Sequence, residues 1–230
     1  MDKRKQIFFL HHAGGSSYSY QFLKPYLCDF NCLTLELPGR GYRWESDFLT
    51  DFDAATFDLY KLILENLQTT EIILYGHSMG AYMALRLANL LEKKRILPIH
   101  LIVTGSAGPK TKLNKKRYLF SENDLKKEIK AMGGVQDDIL QNREFMDYYL
   151  PILRADFELI EKSDMACEPP TSTPIFAMMG NEEEHHEKIL QWKAYTKAEF
   201  GFEILEGGHF FIYKHAEYIA SKIKQLCSSI

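Results

Sequence analysis

Ser78 stands at the centre of Gly76-His77-Ser78-Met79-Gly80, directly after the apolar run Ile72, Ile73, Leu74, Tyr75. Behind it comes a helical stripe of Ala84, Leu85, Leu87, Ala88 and Leu91. A short unbroken apolar run reads as a buried strand, and the stripe as an amphipathic helix. A serine at so sharp a strand-to-helix corner adopts a strained backbone and lifts its hydroxyl above the sheet, the geometry of a nucleophile elbow. Gly76 and Gly80 fit that corner because bulkier residues would collide where strand and helix cross.

A serine nucleophile needs a base, a group that orients the base, and donors for the oxyanion. His209 is the candidate base. It lies in Glu206-Gly207-Gly208-His209-Phe210-Phe211, after a short strand at 202–205, and its two glycines allow a tight turn back over the sheet edge. The acid is expected at the end of the preceding strand, 174–179, where Gly180-Asn181-Glu182-Glu183-Glu184 carries three carboxylates in a row. One of them orients His209. The other two read as the start of a helix running to Tyr195, where negative charge suits the helix dipole. Spacing alone does not choose among the three. The oxyanion donors are expected from the backbone N–H of Met79 and from the loop after the first strand, His11-His12-Ala13-Gly14-Gly15.

The pairs His11-His12 and His185-His186 raise the question of a metal. Adjacent residues on extended chain face opposite ways, and no cysteine or carboxylate pattern of metal spacing accompanies them. No metal and no cofactor is expected.

These residues must be held by a framework, and its period is legible. Strand-like runs at 6–11, 32–37, 71–75, 100–104, 174–179 and 202–205 alternate with helical segments at about 20–27, 53–67, 79–94, 185–197 and 215–227. Such alternation indicates an α/β fold, a mainly parallel sheet covered by helices on both faces. Few residues precede the first strand, so the sheet is expected to be short. One domain over 1–230 is expected, with a helical lid insertion at about 108–165. In that insertion Ser121 reads as the N-cap of a helix over 122–132, Gly133-Gly134 as a hinge, and more helix continues to about Glu161. Its Met132, Val135, Ile139, Leu140, Phe145, Met146, Tyr149 and Leu153 suit either an acyl chamber or simple packing of the lid onto the body. The insertion opens with Lys110, Lys112, Lys115, Lys116 and Arg117. That basic loop fits either a rim that steers an acidic partner or a solvated surface.

A chain of 230 residues with 46% apolar residues can fill a core. The N-terminus, Met1-Asp2-Lys3-Arg4-Lys5, leads into an apolar stretch too short for a signal peptide, and no run is long enough to span a membrane. Cys28, Cys32, Cys167 and Cys227 show neither zinc spacing nor a secreted framework, which favours reduced thiols and a cytoplasmic location. A net charge of −3 gives no reason to expect nucleic acid.

Five blocks taken together resemble a known family: HHAGGSSYSY at 11–20, ELPGRGYR at 36–43, GHSMGA at 76–81, LPILRADF at 150–157 and GGHFF at 207–211. In this order, over about residues 6 to 226, they are similar to the stand-alone type II thioesterases that accompany nonribosomal peptide and polyketide synthases. The resemblance implies an α/β-hydrolase fold and hydrolysis of acyl thioesters on the phosphopantetheine arm of an acyl or peptidyl carrier protein. It puts the nucleophile on Ser78 and the base on His209. The family's usual aspartate falls on Glu183, one methylene longer. His11 stands where the family has proline, which leaves the second oxyanion donor as the N–H of His12. No nucleic-acid or membrane partner is implied, and a monomer is expected. Three other activities share much of this pattern: a carboxylesterase or lipase, an acyltransferase, and a catalytically weak carrier-binding module.

Overall fold

The computed structural model describes residues 4–111 and 115–228. Lys112 of the basic loop and Met1-Asp2-Lys3 lie outside the described residues. The strands are β1 (Gln6–Leu10), β2 (Asn31–Leu35), β3 (Ile72–His77), β4 (His100–Thr104), β5 (Ile175–Gly180) and β6 (Phe200–Leu205). They form one six-stranded sheet in the order β2-β1-β3-β4-β5-β6, with every neighbouring pair parallel.

Central strands of a parallel sheet are buried on both faces, so their sequences run apolar without alternation. The period-2 pleat still sorts the side chains. Phe8, Leu10, Ile72 and Leu74 enter one core, with α1 (Phe52–Asn66), α2 (Met79–Lys93) and Trp192. Ile7, Phe9, Ile73 and Tyr75 enter the other, with Tyr20, Leu23 and Ile219, Ala220 and Ile223. The last three lie on the C-terminal helix, which follows a short turn of helix at Phe211–Lys214.

The insertion after β4 contains α3 (Glu122–Met132), α4 (Asp137–Gln141) and α5 (Arg143–Glu161). The short helix Phe211–Lys214 is α6 and the C-terminal helix Ala216–Ser228 is α7. Ser121 does cap α3, its hydroxyl accepting from the N–H of Asp124. Gly133, at φ 78°, closes the same helix at its C-terminus. Its left-handed conformation therefore has a structural reason apart from any hinge.

Two expected helices take another form. The segment 20–27 is a set of turns ending in a 3-10 helix at Lys24–Tyr26, with Pro25 in its first turn. The segment after β5 is a 3-10 run, His186–Tyr195, preceded by turns, so Glu182 and Glu184 sit outside it rather than in a helical first turn. His185 enters this run at φ 67°.

The apolar residues of the insertion mostly pack on each other. Leu140, Met146 and Leu153 are buried with Leu125, Ile129, Leu150 and Phe157, while Val135, Phe145 and Tyr149 lie against that cluster. Ile139 is exposed. Packing, rather than a chamber wall, accounts for six of the eight residues considered, while Met132 both lies against the cluster and lines a cavity. No described helix is long and apolar enough to cross a membrane.

Candidate active site

The sheet's carboxyl edge brings the candidate residues together. β3 ends at His77 and α2 starts at Met79, leaving Ser78 alone at the corner with φ 55° and ψ −117°. Backbone in that region costs a few kcal/mol (order ~1–3) and persists only when neighbours over-determine it. Here the N–H of Ser78 donates to the carbonyl of Thr104 at 2.8 Å, and its carbonyl accepts from Ala81 at 3.0 Å. The glycines serve close approach. A Cβ on Gly76 would lie 2.1 Å from the carbonyl oxygen of Gly80, and one on Gly80 would lie 2.1 Å from that of Leu10. The second contact reaches across to β1, beyond the strand-helix crossing itself.

His209 follows β6 on its glycine loop. Its Nδ1 lies 2.6 Å from Oε2 of Glu183, whose side chain is 5% exposed. Oε1 of the same carboxylate accepts from the N–H of Gly180 at 2.8 Å. The glutamate thus curls back over its own turn. Glu182 and Glu184 are exposed, so geometry separates the three carboxylates that spacing left equivalent. The other ring nitrogen, Nε2 of His209, is buried and has no hydrogen-bond partner among the described residues. Ser78, Met79, Glu183 and His209 all line one cavity of about 830 Å³.

The His209 ring is held among other rings. His77 lies tilted against it at 4.9 Å and Phe210 meets it edge-on at 5.2 Å between centroids, and His12 meets Phe210 edge-on at 4.9 Å. His77 donates or accepts through Nδ1 at Thr104 Oγ1, 2.9 Å away. Burial first, and then the rings of His209 and His12, hold His77 well below the ordinary histidine range. Burial likewise brings His12 down to about 4 and His11 to about 3. All three therefore stay neutral at pH 7 and bring no positive charge to His209.

His11 and His12 are bound within their own loop. Nδ1 of His11 lies 2.9 Å from the carbonyl of His12, its Nε2 accepts from the N–H of Leu37 at 3.4 Å, and Nδ1 of His12 lies 2.9 Å from the carbonyl of Ala13. His186 Nδ1 sits 3.0 Å from the carbonyl of Glu183. Among the described residues no group of three His, Cys, Asp or Glu side chains is arranged to hold a metal.

The N–H of Met79 is an orphan donor at the start of α2. The loop carrying His12 closes through a bond from the N–H of Gly15 to the His12 carbonyl at 2.9 Å. Two buried side chains that spacing did not single out hold this loop. Asp156 of α5 accepts from the N–H of Gly14 at 2.8 Å, and Arg40 donates to the carbonyl of Gly15 at 3.2 Å. Glu36, fully buried, accepts from the N–H of Ser17 at 2.7 Å and of Tyr42 at 3.0 Å. All three lie inside the blocks ELPGRGYR and LPILRADF. Those blocks were the available signal, though nothing local in them assigns a role.

Lys115, Arg117 and Glu128 of the insertion also line the cavity. Lys115 pairs with Glu128 at 3.0 Å, and Arg117 pairs with the buried Glu161 at 2.6 Å while lying over the ring of Phe157. Two cations of the basic loop are therefore engaged within the insertion. Lys110 and Lys116 are the described members left exposed without an ion pair.

The thioesterase domain family matches residues 5–227 of this chain. The gramicidin S biosynthesis protein GrsT of Aneurinibacillus migulanus is 29% identical over 230 residues, which covers 96% of this chain and 88% of that protein. The type II thioesterase BorB of the borrelidin biosynthetic cluster superposes with a TM-score of 0.90 at 26% identity, covering 98% of this chain and 93% of BorB. RedJ, a thioesterase of the prodiginine pathway in Streptomyces coelicolor, gives 0.90 at 25% identity over 96% of this chain and 90% of its own. The sheet described above is accordingly that of an α/β-hydrolase.

Proposed function

The chain belongs to the thioesterase domain family, hydrolases of acyl thioesters, and from that premise we propose that it clears acyl groups from the phosphopantetheine arm of acyl or peptidyl carrier proteins. Relatives that act in gramicidin S, borrelidin and prodiginine biosynthesis favour a carrier of nonribosomal peptide or polyketide assembly as the partner. The chain works as a cytoplasmic monomer, and the insertion forms a lid over the cavity.

Ser78 attacks the thioester carbonyl while Nε2 of His209 takes its proton. Negative charge develops on the carbonyl oxygen, which rests on the N–H groups of Met79 and His12. When the tetrahedral centre collapses the C–S bond breaks, and the imidazolium returns the proton to the departing pantetheine sulfur. An acyl-Ser78 ester remains. Water, giving its proton to the same imidazole, then attacks that ester and releases the free acid. Glu183 keeps the proton on Nδ1, leaving Nε2 as the acceptor, and stabilises the imidazolium.

One observation carries this reading. Glu183 is bonded to Nδ1 of His209 at 2.6 Å, Nε2 has no hydrogen-bond partner among the described residues, and His209 and Ser78 line the same cavity. The test compares acid release from an acyl-phosphopantetheinyl carrier with release from the same acyl group on a small thiol. Much faster turnover of the carrier-bound substrate supports the proposal. Cleavage of simple oxygen esters with both thioesters untouched would make the protein an esterase instead.

A further inference from the structure

Three parts of the chain that are distant in sequence meet behind the proposed oxyanion loop. Arg40 comes from the loop after β2, Asp156 from α5 of the insertion, and Gly14-Gly15 from the loop after β1. The guanidinium holds the carboxylate with two hydrogen bonds, Nη1 to Oδ2 at 2.6 Å and Nη2 to Oδ1 at 2.7 Å. Both side chains are buried, at 3% and 0% exposure. The pair does not close on itself. Oδ2 also accepts from the N–H of Gly14 at 2.8 Å, and Nη1 also donates to the carbonyl of Gly15 at 3.2 Å.

One contact falls on the 13–14 peptide inside the turn closed by Gly15 N–H to the His12 carbonyl, the other on the 15–16 peptide just after it. There is little slack around Gly14. A Cβ at Gly14 would lie 2.4 Å from the Tyr149 hydroxyl and 2.8 Å from Cδ1 of Leu153, both on α5. A buried ion pair is a poor device for stability alone, since apolar residues of matching volume do as well or better. It is a good device for fixing direction, because a bidentate pair has one geometry.

Resting on the thioesterase reading and its placement of the His12 N–H, we infer that Asp156, locked by Arg40, is a positioning residue for the oxyanion hole. It sets the path of 12–15, and so the aim of the His12 N–H, from a helix of the insertion. A donor misplaced by about an ångström loses much of its value to the transition state while ground-state binding is kept.

The test uses two double variants of the full chain, neither with a buried charge. Arg40→Gln with Asp156→Asn retains an acceptor for Gly14 N–H. Arg40→Met with Asp156→Leu fills the space and removes it. Turnover of an acyl thioester on a small thiol is measured beside the affinity of a short alkylboronic acid, which forms a tetrahedral adduct on Ser78. The apolar pair should lose about 10- to 100-fold in kcat with KM little changed, and boronate affinity should fall by a similar factor. The amide pair should stay within about threefold of wild type on both readouts. Asp156→Glu keeps the charge pair but displaces its carboxylate, and is the second variant should the apolar pair not fold. It should lose kcat in the same direction. If the folded apolar pair, or Asp156→Glu in its place, matches wild type in kcat and boronate affinity, the inference is overturned. Should wild type release acid from no thioester, the functional reading fails instead, and boronate affinity of the two pairs still decides the positioning role.

Discussion

Replacing Glu183 by glutamine probes the triad with almost no change of shape. In the native site the two carboxylate oxygens are both in use, Oε1 by the N–H of Gly180 at 2.8 Å and Oε2 by Nδ1 of His209 at 2.6 Å. Glutamine has one oxygen. The buried backbone N–H of Gly180 can only donate, so it claims that oxygen and turns the amide NH2 toward His209. Nδ1 must then accept, the proton moves to Nε2, and the nitrogen proposed as the acceptor of the Ser78 hydroxyl proton can no longer take it. A wrong tautomer of this kind costs about 10⁴-fold in kcat, equivalent to about 5 kcal/mol of barrier. Steady-state hydrolysis of an acyl thioester by wild type and Glu183→Gln measures it, with thermal unfolding as the check on folding. The expected result is a loss of three to four decades (about 10³- to 10⁴-fold) in kcat with KM nearly constant. A folded variant that loses less than about tenfold would refute the claim that Glu183 sets the tautomer.

Further outcomes follow from contacts elsewhere. Gly80→Ala puts a Cβ 2.1 Å from the carbonyl oxygen of Leu10, and calorimetry should show a loss of about 3 kcal/mol or more; a wild-type melting point would contradict the packing described. Arg117→Ala takes the guanidinium from Glu161, 1% exposed, and leaves that carboxylate the N–H of residue 117 at 2.7 Å, so urea unfolding should register a loss of about 3 kcal/mol, and a change below about 1 kcal/mol would mean the pair is not buried in solution. Folding lowers His12 from 6.5 to about 4 and His11 from 6.5 to about 3. The unfolded chain therefore binds more protons across this window, so stability is intact above pH 6.5 and falls as pH drops toward these folded values. The two groups together should cost about 4 kcal/mol between pH 7.5 and 5, measured by urea unfolding at each pH. A flat profile would show that they are hydrated in the folded protein.

The strand-elbow-helix unit was legible because every local signal agreed: an apolar run, small residues where backbones touch, then a helical stripe. The mainly parallel sheet with its helices followed from the same alternation of periods. What escaped was set by single residues or by long-range pairing. Segments 20–27 and 186–195 carry apolar residues at roughly helical spacing. The chain nevertheless winds them as turns and 3-10 helix, anchored by Tyr20 in one case and by Trp192 in the other, both fully buried. Spacing did not tell the three adjacent carboxylates apart; the family resemblance put the acid on Glu183, and the turn after β5 points that side chain inward. Arg40 and Asp156 are separated by 116 positions, so no window of sequence contains both. The basic loop reads as a patch, yet two of its cations are turned onto Glu128 and Glu161, partners on helices α3 and α5 that composition does not reveal.

The central claim is that the acyl group passes through Ser78, and mass spectrometry tests it most directly. Wild-type protein is mixed with an acyl-phosphopantetheinyl carrier, quenched in acid within one turnover, digested and weighed. The account predicts that the peptide containing Ser78 gains the mass of the acyl group before free acid accumulates, and that Ser78→Ala shows neither the adduct nor turnover. Free acid appearing while Ser78 stays unmodified, or turnover by Ser78→Ala at the wild-type rate, would contradict it.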